Sequence, residues 1–478
     1  MSGPSFAAVS GAAPGSRDAA AARRDDEAAR ELVQSEFDRP LVLEAGAGTG
    51  KTTVLVGRIA GWCLGPGWER ASTELRASRT GEIGSEEVAA RVLRGVVAIT
   101  FTEAAAAEMA SRVAELLRDV LAGAPPASFA SRALPASAAE RALRARALLG
   151  GLDALSVCTI HAWCHRILRE HPLQAGVHPY FQVDASETRF AGVVREVMEA
   201  KLAAALREPG DPDFVALAVE VGPPLVEQAL GVLVREAIPP EALAGSPLTP
   251  VRIRAFCEGL ARRTLEVREL GTDALVGSRR ATGSAAAAQA IAESPVLLGA
   301  ATETRDELAR VLERLGERWT APALARLDDW ARGKLNQTEE EVLGARVPEL
   351  APRARSLRRA LDHALGLDLH LLELARRVLH PLLAEATRAL RERGVETYTA
   401  LLRDARDLAV RHPEVAARLR RRIDQLLVDE FQDTDQIQCD LLAEIALAGP
   451  REERPVLFLV GDPKQSIYGW RNADLRAY

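Results

Sequence analysis

Aromatic side chains are scarce: phenylalanine, tryptophan and tyrosine make up 4% of 478 residues, so each ring inside a polar motif stands out. Cysteine is sparse as well. Cys63, Cys158, Cys164, Cys257 and Cys439 are scattered and form no CxxC pair, which argues against a disulfide framework and for a reducing compartment. No apolar run approaches the ~18–20 residues that a bilayer span needs, so no membrane partner is expected. The N-terminus has neither the basic start nor the long apolar centre of a signal peptide, and a cytoplasmic location follows. Excess positive charge is also missing. The net charge is −6, whereas a chain that coats nucleic acid is usually basic over its binding domain; a local basic groove remains open. What is present is the balance of a globular protein, 47% hydrophobic and 27% charged, which excludes wholesale disorder and collagen-like repeats. The length suits about three domains.

Residues 1–22 are small and rich in Gly, Pro, Ser and Ala, and read as a disordered tail. A helix is expected over 25–37, and then the apolar run Pro40 to Ala45 reads as a buried strand entering a glycine cluster. A helix from near Gly50 carries Val54, Leu55, Ile59 and Trp62 on one face. The stretch 64–88 has no sustained apolar period and reads as a surface excursion. GVVAITF (95–101) and LSVCTI (155–160) are further strands, each followed by a helix, with a loop over 123–138 between them. From 185 to 420 the pattern is helical, with apolar residues at three- and four-residue steps such as Leu357, Leu361, Leu365, Leu369 and Leu372. QLLVDE (425–430) and PVLFLVGD (455–462) then return to strand. The expected architecture is α/β. Residues 23–184 and 421–478 share a parallel sheet, interrupted over 185–420 by an all-helical insertion too long to be a loop. Its chemistry belongs at the carboxyl ends of the strands.

The sharpest local signal is Ala45-Gly46-Ala47-Gly48-Thr49-Gly50-Lys51-Thr52, between a strand and a helix. Glycines let the backbone approach closely, successive N–H groups face inward, and the helix start adds positive potential: a cradle for phosphate. Lys51 would reach the β/γ-phosphates of ATP and the Thr52 hydroxyl would bind Mg²⁺. Ala45 replaces the first glycine of the generic pattern. A second signal is the apolar strand ending in Asp429-Glu430. Asp429 can hold Mg²⁺ and Glu430 can take a proton from an attacking water; a solvated turn is the plainer reading of such a pair taken alone. Third, Gln465 follows the last strand, with Tyr468, Trp470 and Arg471 close behind. Two aromatic faces and a cation have the composition of a single-strand stacking platform, or of a helix face packed into a core. Cys158, His161, Cys164, His165 and His171 lack the paired spacing of a zinc site. The arginine-rich stretches at 352–359 and 418–422 could follow a phosphate backbone or be solvated faces.

Five motifs in this order, AGAGTGKT (45–52), TFTEAAAAEM (100–109), TIHAWC (159–164), VDEFQDTD (428–435) and VGDPKQSIYGWR (460–471), resemble the first half of UvrD/Rep-type superfamily 1 DNA helicases. TIHAWC, the TFTE start and the helical insertion resemble the AddA/RecB branch, motors of helicase–nuclease complexes. The resemblance implies a RecA-like P-loop NTPase fold and an ATP-dependent helicase acting in DNA repair or recombination with 3′→5′ polarity. It implies single-stranded or duplex DNA as partner and, next to it, a nuclease or second helicase subunit. By the same resemblance Lys51, Asp429, Glu430 and Gln465 serve ATP hydrolysis, with Gln465 sensing the γ-phosphate. Thr100, Phe101, Thr102 and His161 lie on the DNA path, Tyr468 and Trp470 stack on bases, and Arg471 links the two sites.

Two departures from the family pattern stand out. Ala29-Arg30 occupies the region of the adenine-reading glutamine, with Gln34 off register, and Ala104 replaces a frequent lysine. The family's second RecA-like domain, whose arginines complete the ATP site, is not represented in these residues, so turnover by them alone is expected to be slow. The alternatives are a nucleotide- or DNA-binding fragment without turnover, and another P-loop class such as a small-molecule kinase.

Overall fold

In a computed structural model of the chain the described residues are 7–10, 28–46, 49–78, 81–129, 134–207, 210–277, 282–299 and 303–462. Six strands form one wholly parallel sheet in the order β1 (Ala7–Ser10), β2 (Leu41–Glu44), β8 (Val456–Gly461), β7 (Gln425–Val428), β3 (Val96–Thr100), β4 (Ser156–Thr159). Register is set by pairs such as Leu43 with Val460, Ile99 with Val428 and Thr100 with Thr159. Every residue of β3 and β7 is buried, which explains why both are apolar without alternation: each is covered on both faces.

One face of the sheet carries α2 (Lys51–Leu64), α3 (Pro66–Ser78), α4 (Ser85–Arg94), α5 (Glu103–Leu121) and α6 (Ala138–Gly150). Leu55, Ile59, Leu93, Met109 and Leu148 join Leu41 and Phe458 in that core. The other face carries α7 (Ile160–Glu170), α8 (Tyr398–Arg411), α9 (Pro413–Arg422) and α10 (Gln436–Ala446), whose Ile167, Leu401, Leu419 and Leu441 pack with Ile99, Leu426 and Leu457. A helix at 28–35, α1, is tied to the sheet by a buried arginine. Arg58 donates to the carbonyls of Val33 and Glu36 and to Gln425 Oε1, between the rings of Phe37 and Phe458. Burial pushes its pKa down to about 9, against the pull of Glu36.

Three expectations are corrected. Ala7–Ser10, expected within the disordered tail, pairs with Leu41–Glu44; an open sheet edge offers backbone hydrogen bonds that small residues can take without a core of their own. The supposed surface excursion at 64–88 is mostly α3 and α4. Its anchors are too few to show a period: Trp68 and Ala71 are buried, and Gly67 lies so close to Trp62 that a Cβ would come within 2.6 Å of the indole nitrogen. The helical insertion is shorter than 185–420. Residues 390–420 supply α8, α9 and the short strand β6 (Val395–Glu396), which pairs in parallel with β5 (Gln182–Val183), because the apolar faces of α8 and α9 belong to the core beneath β3 and β7.

The contacts divide the chain into this sheet-bearing unit and a second one, Ala191–Val234 with Ile238–Ala389. The second unit is helical in all its described elements, and its core is built around Trp319 and Trp330. There the fully buried Glu339 accepts from Ser284 Oγ (2.6 Å), Trp330 Nε1 (2.7 Å), the Asn336 amide (2.8 Å) and Arg326 Nε (2.7 Å). Burial by itself would raise its pKa, but these donors outweigh it and hold the carboxyl below its ordinary value. Glu339→Ala leaves Arg326 with Asp329 (3.1 Å) but orphans the buried Ser284 and Trp330 donors, and is expected to cost about 1–3 kcal/mol, read as a lower urea midpoint of tryptophan fluorescence; an unchanged midpoint would show the network to be idle.

Candidate functional site

The chain leaves β2 through Ala45, whose amide donates to Gly461 of β8 (3.1 Å). Thr49 closes a turn onto the Gly46 carbonyl with its hydroxyl (2.8 Å). Gly50 has φ +87° and caps α2, a left-handed conformation that a side chain would strain. No side chain caps this helix and no acid lies in its first turn, so its leading N–H groups and positive dipole end are left for an anion. Ala47 and Gly48 lie outside the described residues. Thr52 is half-buried at the second position of α2.

β7 ends beside this loop at Asp429 and Glu430. Lys51 Nζ reaches Glu430 Oε2 at 2.7 Å across 379 residues of sequence. Glu430 has φ +50°, a conformation costing a non-glycine residue on the order of 1–3 kcal/mol and typical of functional sites. Gln432 holds it there. Its amide donates to Glu430 Oε2 (2.7 Å) and accepts from the Asp462 amide (3.0 Å) at the end of β8. Sequence reasoning missed Gln432, although it stands directly within the VDEFQ run. The Asp462 carboxylate lies 3.8 Å from the point where a Cβ on Gly46 would stand. The ends of β2, β7 and β8 thus gather one lysine and three carboxylates beside the glycine-rich loop.

Burial, and secondarily the charge of Glu430, raises the Asp429 pKa to about 6. A carboxyl raised above its unfolded value near 3.9 carries its charging penalty in full above pH 6 and sheds it as the pH falls toward 4. Asp429→Asn is therefore expected to be more stable than the parent at pH 7, with the difference closing by pH 4. Urea midpoints at the two pH values check this; a difference that does not change with pH would contradict it.

Thr52 and Asp429 offer hard oxygen donors of the kind Mg²⁺ takes together with phosphate and water. Among the described residues no group of three or more His, Cys, Asp or Glu is placed to hold a metal ion. Burial raises the thiols of Cys158 and Cys164, the latter fully enclosed. The region of the adenine-reading glutamine is occupied differently. Arg30 donates to the Thr49 carbonyl at 2.7 Å, while Gln34 is buried against Gly57 and donates to Ser128 O.

β3 and β4, paired through Thr100 and Thr159, carry the expected DNA residues to the same sheet edge. Thr100 is buried with its hydroxyl on the Thr102 carbonyl, and Thr102 caps α5 by accepting from Ala105. Phe101 between them is 43% exposed. His161 opens α7, with its ring edge-on to Tyr398 at 5.0 Å; burial lowers its pKa against the charge of Asp435. Gln465, Tyr468, Trp470 and Arg471 lie outside the described residues.

Compared with known proteins, residues 25–478 match the family model of the UvrD/REP helicase N-terminal domain. The chain is 29% identical to the ATP-dependent helicase/nuclease protein AddA of Moorella thermoacetica over 91% of its own length and 30% of that protein. With the AddA protein of Geobacillus kaustophilus it shares 26% identity over 91% of its length and 35% of the relative. A 103-residue stretch, 21% of this chain, is 37% identical to 10% of the RecB protein of the RecBCD enzyme of Chlamydia trachomatis. The chain thus spans about a third of the full-length relatives that it matches end to end.

Proposed function

Because the chain belongs to the UvrD/REP helicase N-terminal domain family, we propose that it is the ATP-binding part of an ATP-dependent DNA helicase of the AddA/RecB type, acting in cytoplasmic DNA repair or recombination. The observation that carries this reading is the meeting of Lys51 with Glu430. It joins a phosphate cradle to a carboxylate fit to accept a proton from water, the chemistry of NTP hydrolysis. The N–H groups of the loop and Lys51 receive the β/γ-phosphates. Thr52 and Asp429 would hold Mg²⁺, which would supply positive charge against the phosphates. Glu430 takes the proton from the attacking water, and Gln432 fixes its direction. Family resemblance adds Gln465 at the γ-phosphate and 3′→5′ movement; the partner it implies is a nuclease or a second motor protein.

DNA would run along the sheet edge beside this site, over Phe101 and His161, and family resemblance adds Tyr468, Trp470 and Arg471 to its contacts. A small-molecule kinase has no use for such rings, and the exposure of Phe101 favours the helicase reading. Stacking of a base contributes roughly 1–3 kcal/mol. Trp470→Ala is therefore expected to weaken single-stranded oligonucleotide binding roughly ten- to a hundredfold. The salt slope should stay nearly constant, since it counts phosphate contacts. A destabilised variant whose folded fraction binds normally would instead assign Trp470 to the core.

A further inference from the structure

At the opposite end of the strands, where β3 and β4 begin and β7 is approached, a hollow of about 290 Å³ opens between α4, α7 and α9. Its floor is apolar: Trp163, Ile167 and Leu419 line it and are each at least 95% buried. Its rim is cationic, with five arginines against the single carboxylate of Glu170. These arginines are not equally occupied. Arg91 is committed to Asp424 (2.8 Å) and Glu74 (2.7 Å). Arg421 and Arg422 reach Glu453 and Glu170 through exposed pairs, which are worth little and exchange readily. Arg166 holds the Ser156 hydroxyl (2.9 Å) and the neighbouring Cys158 thiol, and neither it nor Arg94 has a carboxylate partner among the described residues; both are exposed.

We infer that this hollow is a docking site for an acidic peptide segment of a partner protein, one that seats a single bulky apolar side chain between carboxylates. The volume lies at the small end of ligand pockets and suits one anchor rather than a cofactor. Guanidinium forks match carboxylates in a planar, two-point fashion, and a desolvated apolar anchor ringed by polar contacts is how small interfaces concentrate their affinity. A nucleic-acid backbone would use the rim and leave the apolar floor empty, so charge and shape together favour the peptide. The site lies at the far ends of the strands from the nucleotide cradle, and its occupation leaves that cradle free.

The test uses the whole chain and a fluorescein-labelled decapeptide of aspartates and serines carrying one phenylalanine. Fluorescence anisotropy at physiological salt is expected to give micromolar affinity. Exchanging the phenylalanine for serine in the peptide should weaken binding at least tenfold, as should the double substitution Arg94→Glu with Arg166→Glu. Binding of a fluorescent ATP analogue at the other end of the sheet should be unchanged in that variant, which shows it to be folded. The peptide comparison needs no change in the protein and decides the matter even if the variant fails to fold. Equal binding of the two peptides overturns the proposal. So does unaltered peptide binding by the folded variant, as arginines that merely balance the carboxyl ends of α4 and α9 would give. Displacement by an equally charged single-stranded oligonucleotide at lower concentration than the unlabelled peptide would also overturn it and assign the rim to phosphate.

Discussion

Glu430→Gln is expected to move nucleotide binding and turnover in opposite directions. Glu430 neutralises Lys51 at 2.7 Å, yet the proposed chemistry needs Lys51 on phosphate and Glu430 on water. Nucleotide must therefore displace the pair. The glutamine amide keeps the size and one hydrogen bond but gives up the charge, so Lys51 is freed. A partly exposed pair is worth about 1 kcal/mol at most, and affinity for an ATP analogue should rise by up to about fivefold. Hydrolysis should fall, because general-base assistance contributes roughly 10²–10⁴. Arginine fingers contribute about 10³–10⁵ in comparable NTPases, and family resemblance puts such arginines in a second RecA-like domain. The rate comparison is made with a chain that supplies that domain, with single-stranded DNA present. Full activity in Glu430→Gln would remove the residue from the mechanism.

The strands were readable because burial on both faces leaves a continuous apolar signature, as in VVAIT and LFLV, and the phosphate loop because its glycines and Lys51 are local in sequence. The contacts that make a site of these segments were not. Nothing in the string links Lys51 to a glutamate 379 positions away, and Gln432 acquires its role only when β8 delivers the Asp462 amide to it. Helices α3 and α4 were missed for a different reason. Helix α3 buries only Gly67, Trp68 and Ala71 and borrows its core from neighbours, whereas the regular face of α4, Val88, Ala89, Val92 and Leu93, begins only where the stretch 64–88 ends. Burial likewise decided the fate of two glutamine-region residues. Gln34 is locked against Gly57, whereas Arg30 reaches the phosphate loop, an outcome set by the docking of α1 through Arg58. Sequence spacing marks which residues carry chemistry, and tertiary contacts decide which of them can act together.

Lys51→Ala should lose ATP-analogue binding by roughly a hundredfold, at the upper end of what deletion of one charge-assisted hydrogen bond suggests. A charge-assisted bond is worth about 1.5–3 kcal/mol, which alone gives roughly ten- to a hundredfold. The surroundings push the loss to the upper end. With the ammonium gone, Asp429 and Glu430 face the incoming phosphates with no cation of their own, and Asp462 adds a third carboxylate beside the loop. The deficit should therefore shrink when a negative charge is removed as well. Lys51→Ala combined with Glu430→Gln is expected to bind more tightly than Lys51→Ala alone by a factor different from the gain that Glu430→Gln gives the parent, a coupling of the kind shown by residues in direct contact. Added Mg²⁺ should narrow the gap further by charge compensation at Asp429. Titrating a fluorescent ATP analogue against the parent, both single variants and the double variant, with and without Mg²⁺, measures every corner of this cycle. Strictly additive losses would mean that the 2.7 Å contact carries no energy in the resting chain. Equal binding by the parent and Lys51→Ala would mean that the loop is not a nucleotide site.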